Sequence, residues 1–139
     1  MPTRYGNELI LIARLLLAAL FLVFGWRKLV DYQGTVAQMV SLRVPTPVAA
    51  TVVSTFMELV VAFAVAIGLF TRGAALLMAF YTLGTALIGH RFWSIPAAGR
   101  VDGMDGFFKD LSIMGGFLLL VVAGPGGYSL DGFYGIAGP

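Results

Sequence analysis

Few side chains of this 139-residue chain can hold a charge, and two of them stand where charge is costly. Arg14 falls in the run ELILIARLLLAALFLVFGWRKL and Glu58 in PVAATVVSTFMELVVAFAVAIGLF. In hydrocarbon an ionised side chain at a helix centre costs about 2.5 to 3.5 kcal/mol on insertion scales. Three chemistries would justify it: an ion pair joining helices, a polar pocket that hydrogen-bonds a ligand's carbonyl or hydroxyl, or a lone carboxyl carrying protons. If the two runs are antiparallel neighbours with level ends, Glu58 lies about 16 Å and Arg14 about 22 Å from the same side, at about 1.5 Å per residue. An arginine side chain spans that difference, so the sequence predicts a structural Arg14–Glu58 ion pair bordering any pocket.

A second set gathers at the ends of the apolar runs: Trp26, Arg27 and Lys28, then His90, Arg91 and Trp93, then Lys109 and Asp110. An interfacial belt of tryptophans and phosphate-facing cations accounts for Arg27, Arg91 and Trp93. His90 is the one side chain with an ordinary titration near neutrality. Lys109, placed at the start of an apolar helix, would meet an unfavourable dipole and need Glu58 or Asp110 as partner. The candidate ligand-binding residues are therefore Arg14, Glu58, His90, Lys109, Lys28 and Trp26, with aromatic walls from Phe56 and Tyr81.

Other chemistries are excluded by what is missing. Without cysteine the chain builds no disulfide relay, thiolate nucleophile or cysteine-held cluster, and with one histidine no bis-histidine haem site. The pair Asp102 and Asp105 lacks the further oxygens of a calcium loop, so it reads as a turn and no metal is expected. The basic residues are scattered, which argues against a nucleic-acid partner.

The elements that must position these groups follow from composition. The chain is 59% hydrophobic and 12% charged, against about 25% charged in soluble domains, and its mean hydropathy is +0.91. A bilayer is the solvent that fits. Four apolar segments of spanning length cover about 8–29, 47–70, 73–90 and 107–124, predicting an all-α, four-helix transmembrane bundle forming a single domain over residues 1–139. Thr46-Pro47 reads as N-cap and first helical residue, Thr71-Arg72 as a tight hairpin, Asp105-Gly106 as the cap of span four, and Gly124-Pro125-Gly126-Gly127 as its end. Asp31–Pro45 alternates polar and apolar residues like an interfacial helix; Arg91–Asp105 looks irregular. Ala64/Gly68, Ala75/Ala79 and Thr85/Gly89 have the small-residue spacing of close helix packing. Arg27, Lys28, Arg43, Arg91, Arg100 and Lys109 lie on one side, Arg4 and Arg72 on the other, which predicts cytoplasmic loops at 31–46 and 91–106 and both termini outside.

Taken in order, Arg14 before FLVFGWRKL, Glu58 before Gly68-Leu69-Phe70-Thr71-Arg72, His90-Arg91-Phe92-Trp93, Phe108-Lys109-Asp110-Leu111 and Gly124-Pro125-Gly126-x-x-Ser129-Leu130-Asp131 resemble the DoxX family. One departure is Asp110, where the family pattern has asparagine. The resemblance implies a small bacterial or archaeal inner (plasma) membrane protein, with relatives tied to quinone-linked sulfur oxidation and to oxidoreductase complexes that handle thiols and oxidative stress. By position it selects Arg14, Lys28, Glu58, His90 and Lys109. The expected function is a subunit of a quinone-linked oxidoreductase with a polar intramembrane pocket for quinone. It would draw electrons from other subunits and not act as an enzyme alone. The alternative is a non-catalytic structural or assembly subunit that works through neighbouring subunits or as a homo-oligomer. A carrier for a small lipophilic solute or protons is a third reading, and four spans are few for alternating access without oligomerisation.

Overall fold

The computed structural model describes residues 5–41, 43–89 and 97–135. Among them there is no strand. The order is α1 (Gly6–Val30), α2 (Tyr32–Ser41), α3 (Pro47–Phe56), a π-helical turn (Met57–Val61), α4 (Ala62–Ile67), α5 (Thr71–Gly89), α6 (Ala97–Ala123) and α7 (Leu130–Tyr134). The α3–π–α4 run is one continuous rod, and four rods are long and apolar enough to cross a membrane: Gly6–Val30, Pro47–Ile67, Thr71–Ile88 and Gly103–Ala123. An all-α bundle of four spanning helices is thus the fold. We call the end where α1 turns into α2 the elbow end, and the opposite end, where α1 begins and α7 lies, the terminal end.

Packing explains why the rods hold together although their outer faces are apolar. α1 lies along the α3–π–α4 rod, α4 and the π turn lie against α5, and α5 makes the most extensive contact with α6. The centre is apolar and fully enclosed: Phe21, Val61, Ala62, Val65, Ala74, Ala75, Met78, Ala79, Phe117 and Leu120 form one cluster. Ala75 and Ala79 are buried in it, so that small-residue pair serves close approach as expected. Leu16, Leu77, Phe80, Leu119 and Val122 point outward, which is affordable only against lipid tails.

The interfacial helix expected within Asp31–Pro45 is present as α2. Three local expectations are corrected. Thr46 occupies the N-cap position ahead of Pro47 but makes no capping bond, because its backbone is left-handed (φ 47°) and its hydroxyl donates to the Pro45 carbonyl at 2.7 Å. The link between spans two and three is Gly68–Phe70, and Thr71 and Arg72 belong to the first turn of α5. Gly68 ends α4 in the left-handed region (φ 75°), the glycine stop that sets the turn. Asp105-Gly106 is no cap: α6 starts at Ala97 and runs straight through, so residues 97–105 are helical and not irregular. Hydropathy marks where a helix enters the apolar layer, not where its hydrogen-bond ladder begins, and here the two differ. The chain ends α6 at Ala123, ahead of Gly124-Pro125, as expected.

The register of α1 against the second rod is fixed at Gly25. A Cβ there would lie 2.8 Å from Leu59 Cγ and 2.9 Å from Glu58 Cβ, so the backbone of α1 touches the second rod at the level of Glu58. Val30 then lies about 7 Å beyond that level and Pro47 about 16 Å beyond it, at about 1.5 Å per residue. The helix ends are therefore not level, and α2 packs against both rods beside the step. Gly25→Val is expected to lower stability by about 1–3 kcal/mol through overpacking, read as an earlier unfolding transition in detergent; an unchanged transition would mean that the two rods do not meet there.

Candidate functional site

The polar side chains inside the bundle divide into two groups at opposite ends. At the elbow end Glu58 is 4% exposed and sits in the π-helical turn. Such a turn inserts one extra residue into the helix, a device frequent at functional sites. Its carboxylate has two partners on two other helices. Lys28 Nζ from α1 donates to Oε1 at 2.7 Å, and the Tyr81 hydroxyl from α5 donates to Oε2 at 2.5 Å. Ser54, buried one turn earlier in the rod, presents its hydroxyl to the same phenol. Beyond Tyr81 toward the elbow end, Thr85 donates to the Thr82 carbonyl at 2.8 Å and lies 3.2 Å from Asp110 Oδ2 of α6. Asp110 is close enough to act electrostatically on Tyr81.

Arg14 is at the other end, so the predicted Arg14–Glu58 pair does not form. The reason is the register: with Gly25 beside Glu58, Arg14 is eleven residues away along α1, about 16 Å, and comes level with Gly68. There it is 1% exposed. Its Nη2 donates to the Tyr128 carbonyl, and Asp131 attracts it electrostatically. Asp131 in turn accepts from the Phe70 and Thr71 amides, both at 2.7 Å, and donates its own amide to the Gly68 carbonyl at 2.9 Å. The carboxylate thus caps α5 from sixty residues away, and Arg14 neutralises it. Ser129 caps α7, its hydroxyl accepting from the Gly132 amide at 2.9 Å. Glycine suits position 68 because its backbone is left-handed (φ 75°) and a Cβ there would meet Arg14 Nη1 and come within 3.0 Å of Ser129 Cα.

The remaining sequence candidates fall elsewhere. Trp26 is 61% exposed on the outside of α1 and lines a hollow of about 520 Å³ at the α1–α2 elbow with Arg27, Asp31 and Gln38. Phe56 is exposed too, and so forms no wall around Glu58. Lys109 is exposed and about three turns inside α6, away from the helix start that would have demanded a partner. It forms no ion pair among the described residues. His90, Arg91 and Trp93 lie outside the described residues. Tyr81 was expected only as an aromatic wall; its place one turn before Thr85, on a helix with no acid or base beyond Arg72, was the signal that it faces a charge from another helix. Among the described residues no group of three His, Asp or Glu side chains could hold a metal.

Comparison with known proteins agrees with this architecture. The DoxX family profile matches residues 9–91, a stretch holding Arg14, Lys28, Glu58 and Tyr81. The chain belongs to the DoxX family. This DoxX chain is 44% identical over 123 residues to the inner membrane protein YphA of Escherichia coli K12, covering 88% of each chain. It is 37% identical over 124 residues to the inner membrane protein YqjF of the same organism, again covering 88% of each. No solved structure matches it.

Chemically, the elbow-end triad of this DoxX protein is a carboxylate clamped between an ammonium and a phenol. Lys28 is 19% exposed and keeps N–H donors beyond the one given to Glu58. Removing one partner of a buried pair leaves an uncompensated charge, so Lys28→Met is expected to cost about 3 kcal/mol. Lys28→Met combined with Glu58→Leu should recover most of that loss in the same detergent unfolding assay. A double variant no more stable than Lys28→Met would show that the two side chains do not interact.

Proposed function

We propose that this protein is a small inner-membrane subunit of a quinone-linked oxidoreductase, and that Lys28, Glu58 and Tyr81 form the place where a quinone headgroup binds. The observation that carries the reading is Glu58 itself, nearly enclosed yet held by an ammonium with donors to spare. A quinone, when bound, carries electrons together with protons between partner proteins. The residues fit the group: its carbonyl oxygens are acceptors, the Lys28 ammonium supplies N–H groups, and Phe24 lies 5.7 Å from that ammonium as an apolar flank. Glu58 orients Lys28 and Tyr81, and together with the phenol it holds a proton at Oε2 or at the tyrosine oxygen. His90 joins the same reading through the family pattern alone. Arg14 serves it only by holding the terminal end closed. Electrons come from other subunits of the complex.

A second reading, an assembly subunit without chemistry, draws on one feature. Between α1 and α6 a groove of about 420 Å³, lined by Leu16, Leu17, Leu20, Ile113, Gly116 and Leu119, opens onto the lipid face. A neighbouring subunit or a second copy of the chain would fill it.

Binding separates the two. A short-chain benzoquinone or naphthoquinone is expected to quench the fluorescence of Trp26 saturably in purified protein. Lys28→Met and Tyr81→Phe should each weaken the binding by about tenfold or more, the loss of one hydrogen bond to a charged group at about 1.5–3 kcal/mol. Absence of saturable quenching, or equal affinity in all three proteins, favours the assembly reading.

The orientation we propose has the elbow end in the cytoplasm. Arg27, Lys28 and Arg43 cluster there, while Arg72 starts α5 at the terminal end, the bias expected of cytoplasmic loops. A reporter active only in the cytoplasm should be silent when fused to the C-terminus, and an active fusion would reverse the assignment.

A further inference from the structure

The distribution of polar groups along the bundle axis restricts how Glu58 can gain or lose a proton. The groups that face it are Lys28 from α1 and Tyr81 from α5, with Asp110 of α6 acting on Tyr81. All belong to the elbow-end half: Lys28 is two residues from the end of α1, and the hydroxyls and carboxylate beyond Tyr81, those of Thr85 and Asp110, continue in that direction. Toward the terminal end the sequence of buried groups changes character. From Tyr81 back to Thr71 is about 15 Å along α5 at about 1.5 Å per residue, and the side chains that fill this interval are Phe21, Val61, Val65, Met78, Phe117 and their alanine neighbours. None can pass a proton. The next polar groups, Thr71, Arg14 and Asp131, lie beyond this interval at the terminal end, where Arg14 donates to the Tyr128 carbonyl and Asp131 caps α5.

We infer that Glu58 exchanges its proton with the elbow-end side of the membrane alone. The proton comes from water at that side, adds to the carboxylate, and returns to water at the same side. The chain therefore does not carry protons across the bilayer. This inference rests on the reading of the Glu58 triad as a working site, and gives that site a sidedness: any proton taken up or released with a bound quinone is drawn from one compartment.

The test uses the full chain without quinone, so that its outcome is independent of whether quinone binds. The protein is reconstituted into sealed vesicles of phosphatidylethanolamine and phosphatidylglycerol. Gln38→Cys, on the exposed face of α2 in a chain with no other cysteine, reports with an impermeant maleimide which side carries the elbow. Dicyclohexylcarbodiimide, which adds to protonated carboxyl groups, is then applied with the pH changed on one side at a time, and the Glu58 peptide is quantified by mass spectrometry with Glu58→Gln as the blank. Labelling should rise on elbow-side acidification. Acidification of the terminal side should leave it unchanged. Labelling that follows the terminal side or both sides, or no Glu58 labelling at any pH the vesicles tolerate, overturns the inference. If the labelling is one-sided but no quinone binds, the sidedness stands and the ligand assignment falls.

Discussion

A single carboxylate in an apolar layer sets the terms for the rest of this structure. Glu58 cannot stay ionised in hydrocarbon without partners, and the two it has come from two different helices, Lys28 on α1 and Tyr81 on α5. Those bonds draw α1 and α5 onto the second rod at one level. Gly25 makes the approach possible, because any side chain there would collide with Glu58 and Leu59. The step between the ends of α1 and α3, and the α2 helix that packs beside it, follow from where that contact falls. Helix packing in lipid has little hydrophobic drive of its own, so a charge that must be paired is an effective way to choose a register.

The opposite end is organised by the same rule. Asp131 is the buried acid, its partners are two backbone amides and the Arg14 guanidinium, and the result ties the last short helix to the start of α5. Between the two ends lies the apolar cluster around Phe21, Met78 and Phe117. The molecule is thus polar at both ends of its interior and dry in the middle, an arrangement that favours a site open to one surface over a passage between two.

Much of this was legible in the residues. Hydropathy located four spans within a few residues, and the cost of charge in lipid singled out Arg14 and Glu58 as enclosed, which both are. What the sequence could not reveal was who pairs with whom. The depth arithmetic assumed level helix ends, and nothing in the order of residues says that Gly25 will press on Glu58 and slide α1 along its neighbour. The π-helical turn is likewise silent in the sequence Met57-Glu58-Leu59-Val60-Val61, since it answers to packing and not to local preference. The capping of α5 by Asp131 was hidden by separation along the chain. Lys109 was misplaced for a simpler reason: α6 begins well before its apolar part, so a residue at the edge of the hydropathy signal is not at the edge of the helix.

The Asp131 clamp also orders events during synthesis. α5 begins at Thr71, yet the group that caps it is made only after span four and the Gly124–Gly127 turn have emerged. Until then the Phe70 and Thr71 amides and the Arg14 side chain have only water to satisfy them. A nascent chain stopped before residue 131 therefore holds its four spans with an open, wet end, and the final short helix closes it. Truncation ahead of residue 131 therefore removes the cap of α5 and the carboxylate that faces Arg14 in a single step.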